Sequence, residues 1–211
     1  MLKRQYILMI GLVFALTAFT FPQNGHAENF EQSAKRFIES LADDALQSLT
    51  IEDKPRTERV TKFRKLLHDY FAYRTIGAWV LGRFWRSATE AQKNEYFDLF
   101  EQLLVETYVD RFARYPGASL KVTQALNSGD SDVIVSTLLN RPDGQPPVRV
   151  DWRLRAQEGN YKIIDLMVEG LSMGQTQRSE FASVIRQNGG TVEGLLSELR
   201  KKIQQIKNQQ S

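Results

Sequence analysis

The sequence predicts an α+β domain in which helices cover one face of a curved antiparallel sheet of about four strands. Three observations carry this. Up to Tyr115-Pro116-Gly117 the apolar residues recur at helical spacing; from 119 to 168 they follow strand spacing between turn-forming residues; after Gly174 the helical spacing returns. No internal repeat or low-complexity linker interrupts this order, so one domain accounts for the chain.

Residues 1–27 read as a cleavable leader. Lys3 and Arg4 precede a run over 6–21 that is apolar apart from Thr17 and Thr20, and Gly25-His26-Ala27 sets small residues at the two positions a signal peptidase reads. The run falls short of the roughly 20 residues that span a bilayer, so a mature chain of 28–211 without a transmembrane segment is expected. Losing Lys3 and Arg4 takes the formal charge from +3 to +1, which argues against nucleic-acid binding. With no cysteine, the chain has neither a disulfide framework nor a thiolate metal site.

In the mature chain Phe30, Ala34, Phe37, Leu41, Ala45 and Leu49 make the buried stripe of a first helix. Pro55 and Thr57 open a second, which buries Val60, Phe63, Leu66, Leu67, Tyr70 and Phe71. A short aromatic-rich helix over 74–85 follows, with Gly77 and Gly82 permitting close approach of another element. Thr89-Glu90-Ala91-Gln92 has the form of a capping box and starts a long helix whose apolar side holds Tyr96, Phe97, Phe100, Leu103, Leu104, Tyr108 and Phe112.

Strands are predicted over 119–126 and 133–140, joined through Asn127-Ser128-Gly129-Asp130. Over 147–155, Val148, Val150, Trp152 and Leu154 alternate with Arg149, Asp151, Arg153 and Arg155, which gives one dry and one wet face. Over 161–168 the alternation collapses: Tyr161, Ile163 and Met167 fall on one face, Ile164, Leu166 and Val168 on the other, so this strand is expected to be buried on both. A helix over 176–187, a break at Asn188-Gly189-Gly190 and a last helix from 192 to about 206 complete the chain.

Three segments, VLGRFWRSATEAQ, RPDGQPPVRVDWRLR and GNYKIIDLMVEGLSM, resemble in order and separation the corresponding blocks of the MlaC, or toluene-tolerance, family of periplasmic phospholipid-binding proteins. RSEFASVIRQNGG near the C-terminus resembles the same family, including members associated with hopanoids. The resemblance implies a nuclear-transport-factor-like cone, its sheet covered by about six to seven helices around an internal apolar cavity. Acyl chains of a phospholipid, or a hopanoid, would lie inside with the headgroup near the mouth. It also implies periplasmic shuttling between an outer-membrane lipoprotein complex and an inner-membrane MCE-domain ABC transporter, which maintains outer-membrane lipid asymmetry.

Physical chemistry sets what such a carrier needs. At about 0.8 kcal/mol per methylene, moving a diacyl lipid from a membrane into water costs on the order of 25 kcal/mol, most of which the protein must replace. That calls for an apolar cavity at or beyond the usual range of roughly 300 to 1,000 Å³, without ionised groups pointing inward. The candidate lining residues on the helices are Trp79, Val80, Phe84, Phe100, Leu104 and Tyr108. Those on the strands are Val150, Trp152, Ile164, Leu166 and Val168. Gly77, Gly82 and Gly170 are the candidate points of flexibility, and Arg83 and Arg86, flanking Phe84 and Trp85, a rim that could touch lipid phosphate.

Catalysis is the competing reading. Gly170-Leu171-Ser172-Met173-Gly174 fits the nucleophile-elbow pattern between a strand and a helix, but no histidine follows Ser172, and His68 is the only one left in the mature chain. Asp165 could serve as a base in an isomerase on the same cone, yet with Glu169 it falls on one strand face beside Arg149 and Arg153, where structural pairing is expected. No metal-ligand spacing occurs and no cofactor is implied. The sequence therefore points to a binding and transport protein without catalysis.

Overall fold

The computed structural model describes residues 24–49, 54–113, 117–157 and 160–210; of the expected leader, residues 1–23 lie outside these. Helices α1 (Asn24–Leu49), α2 (Arg56–Tyr70), α3 (Tyr73–Leu81) and α4 (Glu90–Ala113) come first, with a 3-10 turn (Gly82–Arg86) between the last two. The strands β1 (Ser119–Asn127), β2 (Asp132–Asn140), β3 (Val148–Gln157), β4 (Asn160–Val168) and β5 (Leu171–Ser172) follow, then α5 (Met173–Gln187) and α6 (Val192–Gln210). The architecture is α+β, and the sheet is antiparallel in the order β1-β2-β3-β4-β5. The fifth strand, of two residues, was not expected.

Local chemistry sets the boundaries. Thr89 and Gln92 form the expected capping box: the Gln92 N–H donates to Thr89 Oγ1 at 3.2 Å and the Thr89 N–H to Gln92 Oε1 at 3.1 Å. α5 starts three residues earlier than the periodicity suggested, because Ser172 caps it by accepting the Gln175 N–H at 3.0 Å.

The reading of β4 as two apolar faces needs correction. Arg153 pairs with Asp165 and Leu154 with Ile163, so Ile164 is an extra residue, a β-bulge that resets the alternation. Tyr161, Ile163, Leu166 and Val168 consequently share one face, opposite Ala156, Leu154, Trp152 and Val150 respectively. β1 carries a second bulge at Thr123.

The core is divided. One cluster joins α3, α4, α5 and α6 through Val80, Tyr96, Phe100, Phe181, Ile185 and Leu196, with Tyr96 stacked on Phe100 at 5.7 Å and Phe181 edge-on to both. Close contact between α3 and α4 is possible because a Cβ at Gly77 would lie 2.7 Å from the Phe97 ring, and the Gly77 carbonyl accepts the Tyr96 hydroxyl at 2.9 Å. Burial pushes the Tyr96 phenol pKa well up, so it stays a neutral donor. The other cluster joins α1 and α2 to the sheet through Ile38, Leu41, Leu66, Val133, Val135, Leu154 and Ile163. Phe71 packs against both.

Helices pack on the sheet at its flanks: α1 on β1 and β2; α2, α3 and α5 on β4. α4 instead packs on α6 and α2. The α2–α4 seam is polar, with Arg56 bridging Glu106 (2.5 Å) and Asp110 (3.0 Å), Arg59 on Asp110 (3.1 Å), and Arg64 and His68 on Glu101 (2.8 and 2.7 Å).

On the outer face of the sheet, Asp132 accepts from Arg155 at 2.7 Å and Arg153 at 2.9 Å. Arg155 and then Arg153, against the opposing cost of burial, hold its carboxyl below the usual range. Its stabilising contribution is therefore complete above about pH 4 and lost as the pH falls through the depressed value. The melting-temperature difference between wild type and Asp132→Asn should be constant from about pH 5 to 8 and shrink below about pH 4 in a thermal titration. A difference that grew towards acid would contradict this sign.

Candidate functional site

The register sorts the long strands into a charged face and a dry one. Every charged residue of β1 to β4, namely Lys121, Asp132, Arg149, Asp151, Arg153, Arg155, Lys162 and Asp165, falls on the outer register. The inner register carries Val133, Val135 and Thr137 of β2, Val150, Trp152 and Leu154 of β3, and Ile163, Leu166 and Val168 of β4. Val150 and Leu154 are buried, whereas Trp152, Leu166 and Val168 are half-buried.

Polar atoms on this face are consumed internally. The Trp152 indole N–H donates to Thr137 Oγ1 at 3.0 Å, and the Thr137 hydroxyl donates to the Val150 carbonyl at 2.9 Å. An indole donor left unpaired would cost free energy against hydrocarbon, so Thr137 makes Trp152 compatible with an apolar occupant. Thr137 is missing from the sequence-derived set; its alternation with Val133 and Val135 was the available signal.

Among the helical candidates, Val80 and Phe100 are buried in the helical cluster, and Phe84 and Leu104 pack against it while partly exposed. On α4 the exposure rises along an i, i+4 stripe, from 4% at Phe100 through half-buried Leu104 to 37% at Tyr108 and 41% at Phe112. Phe112 meets Phe63 of α2 at 6.3 Å, so the stripe runs from the aromatic core out to the α2–α4 seam. Trp79 is 43% exposed, and Ile164, half-buried, occupies the β4 bulge. A cleft of about 220 Å³ opens beside the β1 bulge between Thr123, Gln124, Ser136, Thr137, Leu138 and Arg149; its hydroxyl, amide and guanidinium groups suit water better than hydrocarbon.

The polar candidates have local roles. Asp165 accepts the Ser172 hydroxyl at 2.7 Å and the N–H groups of Leu166 (2.8 Å) and Gly174 (3.2 Å), which ties the start of α5 to β4. The expected pairing of Asp165 or Glu169 with the Arg149 or Arg153 side chain is therefore corrected: Arg149 pairs with Asp151, Arg153 with Asp132, and Glu169 accepts the Arg149 backbone N–H. His68 contacts Glu101, away from Ser172, in the α2–α4 seam. Among the described residues no cluster of potential metal ligands occurs.

The fold and dry face invite comparison with known proteins. The sequence model of the MlaC protein family matches residues 33–201. The chain belongs to the MlaC family. One MlaC relative, the intermembrane phospholipid transport system binding protein MlaC of Haemophilus influenzae, is 24% identical over 186 residues, 84% of this chain and 85% of that one. A phospholipid-binding protein from Ralstonia solanacearum, solved in complex with a phospholipid, superposes with a TM-score of 0.71 at 26% identity, covering 82% of this chain and 98% of that one. Among the described residues no helix is long and apolar enough to cross a membrane.

Proposed function

We propose that this chain is a periplasmic lipid carrier without catalytic activity. It takes the acyl chains of a phospholipid between the inner sheet face and the helical layer. It passes the lipid between an outer-membrane lipoprotein complex and an inner-membrane MCE-domain transporter driven by an ATPase, and so maintains outer-membrane lipid asymmetry. The observation that carries the reading is the placement of all charged residues of the four long strands on the outer register, which leaves a dry inner face. The phospholipid bound to the Ralstonia solanacearum relative supports the choice of ligand.

Val150, Trp152, Leu166 and Val168 would meet the chains from the sheet, and Phe84, Phe100 and Leu104 from the helices. α4 packs chiefly on α6 and α2, so chains entering between α4 and the sheet would disrupt little helix–sheet packing. Carriage between two complexes that keep the chains dry is close to isoenergetic, so net direction must come from the transporter.

Organic-solvent extraction of the purified protein, followed by mass spectrometry, is expected to release phospholipid at a near-stoichiometric ratio. Recovery of a hopanoid would change the cargo class. Protein that stays empty even after incubation with phospholipid vesicles would refute the carrier.

A further inference from the structure

We infer that the surface formed by Trp79, Arg83, Arg86 and Arg178 docks the protein onto the phosphate groups of a lipid bilayer; the inference rests on the carrier reading for its biological sense, since a carrier must meet lipid. Trp79 is 43% exposed and Leu171 60% exposed, which leaves two large apolar side chains in water. The Trp79 ring lies 3.0 Å from the position of a Cβ on Gly174, at the start of α5, while Leu171 stands opposite Val168 on the edge strand β5. α3 is closed by Gly82, whose backbone leaves helical geometry (φ +63°, ψ −131°), and the 3-10 turn carries Arg83 and Arg86 three residues apart on one side of that turn.

Arg178 is held in place by backbone. Its guanidinium lies 5.0 Å over the Trp79 ring, and its Nη1 donates to the Trp79 carbonyl at 2.9 Å. It rests against Gly82, whose φ is +63°, at a point where a Cβ would come within 3.2 to 3.3 Å of Nη2, Cζ and Nε. Only glycine leaves that seat open.

Among the described residues no ion pair holds the arginines of this surface. Arg56, Arg59, Arg64, Arg149, Arg153, Arg155 and Arg200 each reach a carboxylate. Among the described residues, Arg83, Arg86 and Arg178 have none within 4.0 Å. The nearby acids keep their charge but take their hydrogen bonds from other groups: Asp165 from Ser172, Glu169 from the Arg149 N–H, and Glu180 from Gln177. Guanidinium groups match phosphate oxygens in paired hydrogen bonds. Exposed indoles favour the headgroup level of a bilayer. An acidic protein could use the same side chains, but the carrier's cargo is itself a membrane lipid, so the favoured occupant is the bilayer.

Co-sedimentation with vesicles tests this. The wild type should pellet with vesicles containing phosphatidylglycerol, more weakly as salt rises, and poorly with pure phosphatidylcholine. At about fivefold per cation near an anionic surface, Arg83→Gln with Arg86→Gln should weaken binding at least tenfold. Trp79→Ala should weaken it as well. Arg178→Gln, which removes one cation of the surface and is none of the residues proposed to meet the lipid, should also weaken vesicle binding but leave the lipid-to-protein ratio after solvent extraction unchanged, which separates this claim from the carrier reading. Wild type that pellets no better with anionic than with neutral vesicles, or a double variant that pellets like wild type, would overturn the docking surface. Empty wild type that still pellets would support docking and count against the carrier.

Discussion

Leu166→Asp is expected to strip the protein of phospholipid while leaving it folded. Leu166 lies on the inner register directly opposite Trp152, on a face that carries no charge from any of the four long strands. It is half-buried, so in the empty protein a carboxylate there can still reach water. Acyl chains laid against it would remove that water, and the carboxylate would have to be buried unpaired or take up a proton, each at a cost of several kcal/mol. A cost of even about 1.4 kcal/mol is tenfold in affinity, so the extracted lipid-to-protein ratio should fall at least tenfold. Circular dichroism should be unchanged, and the melting temperature should move by only a few degrees. Leu154→Asp is the contrast. Leu154 is fully buried between β3 and the α1–α2 layer, so a charge there should unfold the domain. Leu166→Asp that retained wild-type lipid would remove the inner sheet face from the site.

How much of this was legible in the sequence depended on whether the signal was local. β3 was readable because its arginines and aspartate alternate strictly with Val148, Val150, Trp152 and Leu154, and the register keeps that alternation intact until the far end of the strand. The start of α4 was readable because a capping box is contained within four residues. β4 misled for a physical reason: a bulge at Ile164 changes the phase without changing the composition, so Leu166 and Val168 look opposed to Ile163 when they share its face. The start of α5 was hidden because Ser172 is fixed by Asp165, seven residues earlier on β4. Pairing of Arg153 with Asp132 rather than Asp165 depended on side-chain reach across the neighbouring strand β2. Thr137 became visible as a site residue only once its hydroxyl was seen to take the Trp152 indole N–H. The family blocks were legible as written, and the matched span of 33–201 includes the first-half helices that those blocks did not cover.

Locking α2 to α4 should stop lipid exchange without ejecting lipid already inside. The helical and sheet clusters are each held by aromatic and aliphatic packing, and the seam between α2 and α4 is lined by ion pairs. Partly exposed pairs of this kind contribute about 0 to 1 kcal/mol each, against about 2 to 5 kcal/mol for truncating a single buried Leu, so the ion-paired part of the seam is expected to open more readily than the apolar clusters. The Phe100–Leu104–Tyr108–Phe112 stripe ends there, next to Phe63, and would offer a hydrocarbon tail apolar side chains from the core to the surface. Arg59 and Asp110 face each other across the seam, and the chain has no cysteine to interfere. Arg59→Cys with Asp110→Cys, joined by a short reducible bifunctional thiol reagent, should slow transfer of fluorescent phospholipid to acceptor vesicles at least tenfold relative to the same variant left unlinked. Reduction of the linker should restore the rate, and the lipid content of protein loaded before linking should not change. An undiminished rate in the linked protein would place the opening elsewhere, with the α5–β4 junction at Asp165 the next joint to test.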